Sequence, residues 1–130
     1  MKKTAKILIV EDNPAELLIL EKAVQKSIPQ IQIDKVSDGI KCLDYLYETE
    51  VLPDCIILDL NLPDQDGRAV LRMLQVSEEL SKLNVIVLTG SEDPEDKNYC
   101  NRLGVKGYYL KALVYHDFTE LMEHIKKLTT

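Results

Sequence analysis

At 130 residues, 45% hydrophobic and 29% charged, the chain has the size and make-up of one globular domain that buries a core without disulfides or structural metal. Its formal net charge of -6 argues against direct nucleic-acid binding, which favours a basic face. Membrane insertion and a signal peptide are both unexpected, because the apolar run Ile7 to Val10 after the basic Met1-Lys2-Lys3-Thr4 is cut off at once by Glu11-Asp12-Asn13.

Cys42, Cys55 and Cys100 are widely spaced, with no CxxC pair, and read as buried reduced thiols in a cytoplasmic protein. No linker or repeat divides the chain, so residues 1–130 are expected to form one domain, with its core from about 5 to 128.

The first predicted element is a strand over Lys6–Val10, apolar enough to be buried on both faces. Asn13 is a natural N-cap and Pro14 a good first helical residue. A helix is expected from Pro14 to about Ile28, with Leu17, Leu18, Leu20, Ala23 and Val24 inward, ending before Pro29. Ile31–Val36 alternates in part and suits an edge strand. A turn at Asp38-Gly39 precedes a helix from Ile40 to about Glu50, with Ile40, Leu43, Leu46 and Tyr47 at helical spacing.

Cys55–Leu60 is the next strand, ending in a carboxylate at Asp59 and followed by the turn-rich Asn61-Leu62-Pro63-Asp64-Gln65. A helix from Asp66 to about Val76 turns Val70, Leu71, Met73 and Leu74 inward, and the polar stretch Ser77–Lys82 follows. Asn84–Thr89 is a fourth strand. Pro94 opens a helix to Leu103 with Tyr99, Cys100 and Leu103 on one side, and Gly104 stops it. Lys106–Lys111 reads as a fifth strand and Tyr115–Leu128 as a fifth helix, with Phe118, Leu121, Met122, Ile125 and Leu128 inward. Strands alternating with single helices imply an α/β fold, (βα)5, with a parallel sheet covered on both faces.

In a parallel sheet the carboxyl ends of the strands share one edge. Strands one, three, four and five would bring Glu11-Asp12, Asp59, Thr89 and Lys111 together there. Clustered carboxylates repel one another, and a divalent cation relieves that conflict. Oxygen ligands without His or Cys suit Mg2+ or Mn2+. A carboxylate can also act as a nucleophile toward phosphorus, with a lysine and a hydroxyl stabilising the phosphoryl oxygens. Each residue alone has a plainer explanation. Asp59 would be a turn residue, Thr89 a strand-end hydroxyl, Lys111 a solvated cation, and Glu11-Asp12 acids favoured at a helix N-terminus.

Taken together, Glu11-Asp12, Asp59 with Leu60-Asn61-Leu62-Pro63, Asp66-Gly67, Thr89-Gly90 and Lys111 closely resemble the receiver domain of two-component response regulators. The resemblance implies a doubly wound, flavodoxin-like sheet of order 2-1-3-4-5. It also implies Mg2+-dependent transfer of a phosphoryl group from a sensor histidine kinase or phosphotransfer protein to Asp59. Mg2+, or Mn2+ in its place, would be held by Glu11, Asp12, Asp59 and the backbone carbonyl of Asn61. Lys111 would pair with Asp59, and Thr89 and Tyr108 would act as the switch. The affected surface, formed by the fourth helix, fifth strand and fifth helix, would bind a downstream target or a second copy.

LDLNLPDQDGRAVL and VEDNPAE look most like stand-alone receivers of the phytochrome-associated type. Such a protein is a signalling phosphoacceptor rather than a turnover enzyme, and no output domain is expected after Leu128. One departure is Ala112, where the family usually has proline after the lysine, commonly joined by a cis bond. Cis before a non-proline costs about 3 kcal/mol, so a trans Lys111–Ala112 bond is expected.

Three other readings compete. A receiver that has lost phosphorylation would signal through contacts alone, but its core positions are all filled here. An aspartyl-nucleophile phosphatase of the haloacid dehalogenase type usually has a second Asp where this chain has Asn61. A flavodoxin-type binding module needs a phosphate-cradling loop where this chain has Glu11-Asp12.

Overall fold

Uninterrupted runs of β-branched and aliphatic residues become the central strands, and capped amphipathic segments become the helices between them. The computed structural model describes residues 4–63 and 66–130; the basic Met1-Lys2-Lys3 and the Asp64-Gln65 part of the predicted turn lie outside the described residues. In chain order the elements are β1 (Lys6–Val10), α1 (Pro14–Ser27), β2 (Gln32–Val36), α2 (Gly39–Glu48), β3 (Cys55–Leu58), α3 (Gly67–Val76), a 3-10 turn (Leu80–Lys82), β4 (Val85–Thr89), α4 (Pro94–Arg102), β5 (Gly107–Leu110), α5 (Lys111–Val114) and α6 (Thr119–Thr129). The five strands pair in parallel in the order β2-β1-β3-β4-β5. This is the flavodoxin-like arrangement.

Strand alternation divides the core. Leu8, Val10, Ile56, Leu58 and Val87 join the cluster with Cys42, Leu43 and Leu46 of α2, Val70, Leu71 and Leu74 of α3, and Cys100 of α4. Ile7, Ile9, Cys55, Ile57, Ile86 and Leu88 join Leu20 and Val24 of α1 and Leu121, Met122 and Ile125 of α6. Each fully buried aliphatic side chain of this kind contributes about 1.5–3 kcal/mol. All three cysteines are free and buried, and burial pushes Cys42 and Cys55 up to about 12 and Cys100 up to about 11.

The caps form as expected. Asn13 Oδ1 accepts from the amides of Ala15 and Glu16 at 3.0 and 3.1 Å, with Pro14 beginning α1. Gly104, at φ 81°, follows α4 in the left-handed conformation that glycine adopts readily.

Three expectations need correction. The expected inward stripes were too wide: Leu18, Ile40, Tyr47 and Met73 are exposed, Tyr47 at 67%. Ten-residue helices such as α2 and α3 lie against one sheet face, so α2 buries only Gly39, Cys42, Leu43 and Leu46. The chain also has six α-helices among the described residues rather than five. Lys111 leaves β5 and starts a helical turn, closed by Tyr115 N–H on Lys111 O at 3.0 Å. Asp117 Oδ1 then accepts from Thr119 N at 2.9 Å, so the last helix restarts at Thr119 instead of Tyr115. Finally, β3 stops at Leu58, which puts Asp59 in the loop just past the strand. The Lys111–Ala112 bond is trans, since no cis peptide occurs among the described residues.

Two contacts fix the helices around the carboxyl edge. Gly67 begins α3 directly against the preceding loop: a Cβ there would lie 2.4 Å from Asp59 O and 2.6 Å from Leu60 Cα. Arg68 joins α3 to α4, with Nε and a terminal nitrogen each 2.6 Å from the Asp96 carboxylate. That guanidinium, helped by Ser91, holds Asp96 down at about 2.

Gly67→Ala should destabilise the fold by about 1–3 kcal/mol, the usual cost of overpacking against atoms that cannot yield, measured by urea unfolding. The Asp96 carboxylate is depressed from about 3.9 in the unfolded chain, so its pair with Arg68 contributes stability above that pH and loses it as the pH falls toward 2. The stability difference between wild type and Asp96→Asn should therefore narrow by roughly half between pH 6 and pH 3.

Candidate functional site

The register of the central strands creates the site. Val10 pairs with Leu58, so the next residues, Glu11 and Asp59, leave the sheet side by side. Both stay on the ladder by one more bond. Glu11 N–H donates to Val36 O at 3.1 Å, and Asp59 N–H donates to Val10 O at 3.2 Å. Backbone strain or flexibility is therefore not what places these two carboxylates together. Both are buried, at 4% exposure.

Lys111, one residue beyond β5, reaches across β4 to the same point. Its Nζ lies 2.8 Å from Asp59 Oδ2, 2.7 Å from Glu11 Oε1 and 2.9 Å from Glu16 Oε2. Burial pulls the Lys111 ammonium down, but its bonds to Asp59, Glu11 and Glu16 outweigh that and hold it above the ordinary lysine value. Burial, and then the hydrogen bond with Glu16, pushes the Glu11 carboxyl up to about 8, against the pull of Lys111. Glu16 is held below the usual carboxylate range, first by its bond with Glu11. One ammonium therefore faces three acids, Glu11, Glu16 and Asp59.

Asp12 stands at the exposed rim, its amide donating to Glu11 Oε2 at 3.2 Å. One oxygen each from Glu11, Asp12 and Asp59 falls within a mutual 4.8 Å. Such an oxygen-only set has the chemistry of a divalent hard-cation site, with the shortage of positive charge that a cation relieves. Asn61 is exposed next to it and its amide donates to Asp59 Oδ1 at 3.1 Å.

Thr89 ends β4 fully buried, one strand over from Asp59. Its hydroxyl is engaged by its own loop, accepting from Ser91 N–H at 3.3 Å, and not by Asp59. Tyr108 OH donates to Ser91 O at 3.2 Å. Tyr108 packs with the α2–α3 side of the core and Tyr109 with the α1–α6 side, as alternation along β5 requires. The structure thus joins Glu11, Asp12, Asp59 and Lys111 into one cluster, and links Thr89 and Tyr108 to each other through Ser91.

Glu16 was missed as a member of the cluster. The only signal was its place in the first turn of α1, where an acid is explained equally well by the helix dipole. Arg68 and Asp96 were also missed, since their contact joins segments 28 residues apart in sequence. No described helix is long and apolar enough to cross a membrane.

Comparison with known proteins agrees with this geometry. The family described as "Response regulator receiver domain" matches residues 7–126. The chain is 35% identical over 125 residues to the probable methanogenesis regulatory protein FilR2 of Methanothrix harundinacea, covering 93% of this chain and 81% of that one. It is 30% identical over 125 residues to response regulator Rcp1 of Synechocystis sp., covering 92% and 85%. A solved Mn2+-bound form of Rcp1 superposes with a TM-score of 0.78 at 28% identity, over 94% of this chain and 91% of that one. The phosphorylated cyanobacterial phytochrome response regulator RcpA superposes with a TM-score of 0.86 at 30% identity, over 98% and 94%. A receiver domain is a signalling module that interacts with a histidine kinase or another phosphodonor. The fold, the acidic cluster with its lysine, and these matches lead to one conclusion: the chain belongs to the response regulator receiver domain family.

Proposed function

We propose that the chain is a phosphoryl-accepting response regulator in which Asp59 takes a phosphoryl group from the phosphohistidine of a sensor histidine kinase or phosphotransfer protein. The observation that carries this is the buried Asp59 carboxylate, 2.8 Å from Lys111 Nζ and inside the cluster with Glu11 and Asp12. The description of RcpA as a phytochrome response regulator favours a kinase of the phytochrome type as donor.

In the transfer an Asp59 carboxylate oxygen forms the new O–P bond and the P–N bond of phosphohistidine breaks. Its electron pair returns to the imidazole nitrogen. Glu11, Asp12, Asp59 and the backbone carbonyl of Asn61 would hold Mg2+, with Mn2+ as the substitute that Rcp1 is known to bind. A cation there neutralises charge on the phosphoryl oxygens. Lys111 keeps one Asp59 oxygen paired before transfer and meets the phosphoryl group afterwards. Thr89 donates its hydroxyl to a phosphoryl oxygen, and Tyr108 follows through the β4–α4 loop.

The responding surface is α4, β5 and α6. It carries a groove of about 560 Å³ whose lining includes Tyr108, Leu110, Leu113 and Leu121. A target protein or a second copy binds there, and the chain acts as a phosphoacceptor without turnover chemistry of its own.

Asp59→Asn should keep the fold, since its side-chain oxygen still accepts from Asn61 N–H, yet take no phosphoryl group from a purified, radiolabelled kinase. Equal labelling of this variant would overturn the assignment. Lys111→Met should slow transfer on the order of 100-fold at saturating Mg2+, the effect of removing one preorganised donor at a developing negative charge. Chelation of divalent ions should stop transfer to the wild type, and excess Mg2+ or Mn2+ should restore it.

A further inference from the structure

Helix α4 is held by an unusual means. It runs only from Pro94 to Arg102, and Cys100 is its one buried residue. Burial therefore contributes little to its position. Polar contacts to α3 supply what is missing. The Arg68 guanidinium forks onto both Asp96 oxygens at 2.6 Å, and Tyr99 OH donates to Arg68 O at 3.3 Å. Ser91 Oγ donates to the same Asp96 carboxylate. Charge-assisted, bidentate bonds of this kind are the strong ones.

The two ends of this network touch the phosphorylation machinery. Arg68 follows Gly67, which packs on the Asp59 backbone so closely that a Cβ there would lie 2.4 Å from Asp59 O. Ser91 in turn holds both proposed switch residues, with its amide on Thr89 Oγ1 at 3.3 Å and its carbonyl receiving Tyr108 OH at 3.2 Å. Movement of Thr89 toward a phosphoryl group on Asp59 must carry Ser91 with it, and so pull its hydroxyl from Asp96.

We infer that Arg68, Asp96 and Ser91 form a latch that anchors the β4–α4 loop to α3 in the unphosphorylated state and opposes the switch. The inference rests on the phosphoacceptor reading of Asp59. Arg68 and Asp96 are positioning residues here: they touch neither the phosphoryl group nor the cation cluster, and act through Ser91. Interactions made only in the resting state lower the population of the competent conformer, and their loss raises it.

The test uses the whole chain with phosphoramidate and Mg2+, so that kinase docking plays no part. Asp96→Asn should acquire label at Asp59 about tenfold faster than wild type, as expected for losing a charge-assisted bond confined to the resting state. Arg68→Gln should do the same, and the double variant should be no more than about twofold faster than either single, because both remove one latch. Glu48→Gln, exposed on α2, should label at the wild-type rate. Ser91→Ala, which removes a single hydroxyl, repeats the test if either charge variant fails to fold. Without donor, amides 91–102 should exchange about tenfold faster in Asp96→Asn while those of β1 and β3 are unchanged. Wild-type labelling rates or unchanged exchange in Asp96→Asn would overturn the latch. If the wild type takes no label at all, the phosphoacceptor reading fails, and the exchange measurement alone decides whether Asp96 restrains α4.

Discussion

One ammonium among three carboxylates is the constraint on which the carboxyl edge of this sheet depends. Lys111 reaches Asp59, Glu11 and Glu16 within 2.9 Å, in a place where Asp59 and Glu11 are nearly closed to water. Desolvated acids at such separations repel strongly. Lys111 holds them together without cancelling them, and burial pushes the Glu11 carboxyl up to about 8 against its pull. The remaining negative charge suits the site to a divalent cation. The same excess charge makes a neutral, purely structural role for the cluster a poor explanation, because four ionisable groups are costlier to bury than aliphatic replacements.

The sheet does most of the positioning. Register places Glu11 beside Asp59, and ladder bonds from both amides continue one residue past the strands. Gly67 then packs α3 onto the Asp59 backbone with no space for a side chain. The Asp59 side is therefore tightly packed. The β4–α4 side is different: a fully buried Thr89 leads into a loop held mainly by polar bonds around Ser91 and Asp96. A tightly packed edge beside a loop held by polar bonds is the arrangement that the proposed switch would use.

The strands, their parallel pairing and most helix starts were legible in the sequence, because apolar runs and caps such as Asn13-Pro14 are local signals. So were Glu11, Asp12, Asp59 and Lys111, since a parallel sheet brings its strand ends to one edge whatever the details. Side-chain depth was less legible. Ile40 and Tyr47 keep helical spacing with Leu43 and Leu46 but fall off the edge of a narrow contact stripe. The restart at Thr119 depends on one Asp117 side chain competing with the helix, which periodicity does not report. Glu16 joins the cluster by meeting Lys111, 95 residues away in sequence, which no local pattern reports. Arg68 and Asp96 lie 28 residues apart and meet through the packing of two helices.

The central claim is that Asp59 becomes an aspartyl phosphate. Its most direct test is to incubate the protein with phosphoramidate and Mg2+, trap the acyl phosphate by reduction, and map the modified residue by peptide mass spectrometry. The account predicts modification at Asp59 alone, dependent on the divalent ion. Modification at Asp12 or elsewhere, or none with the fold intact and Mg2+ present, would contradict it.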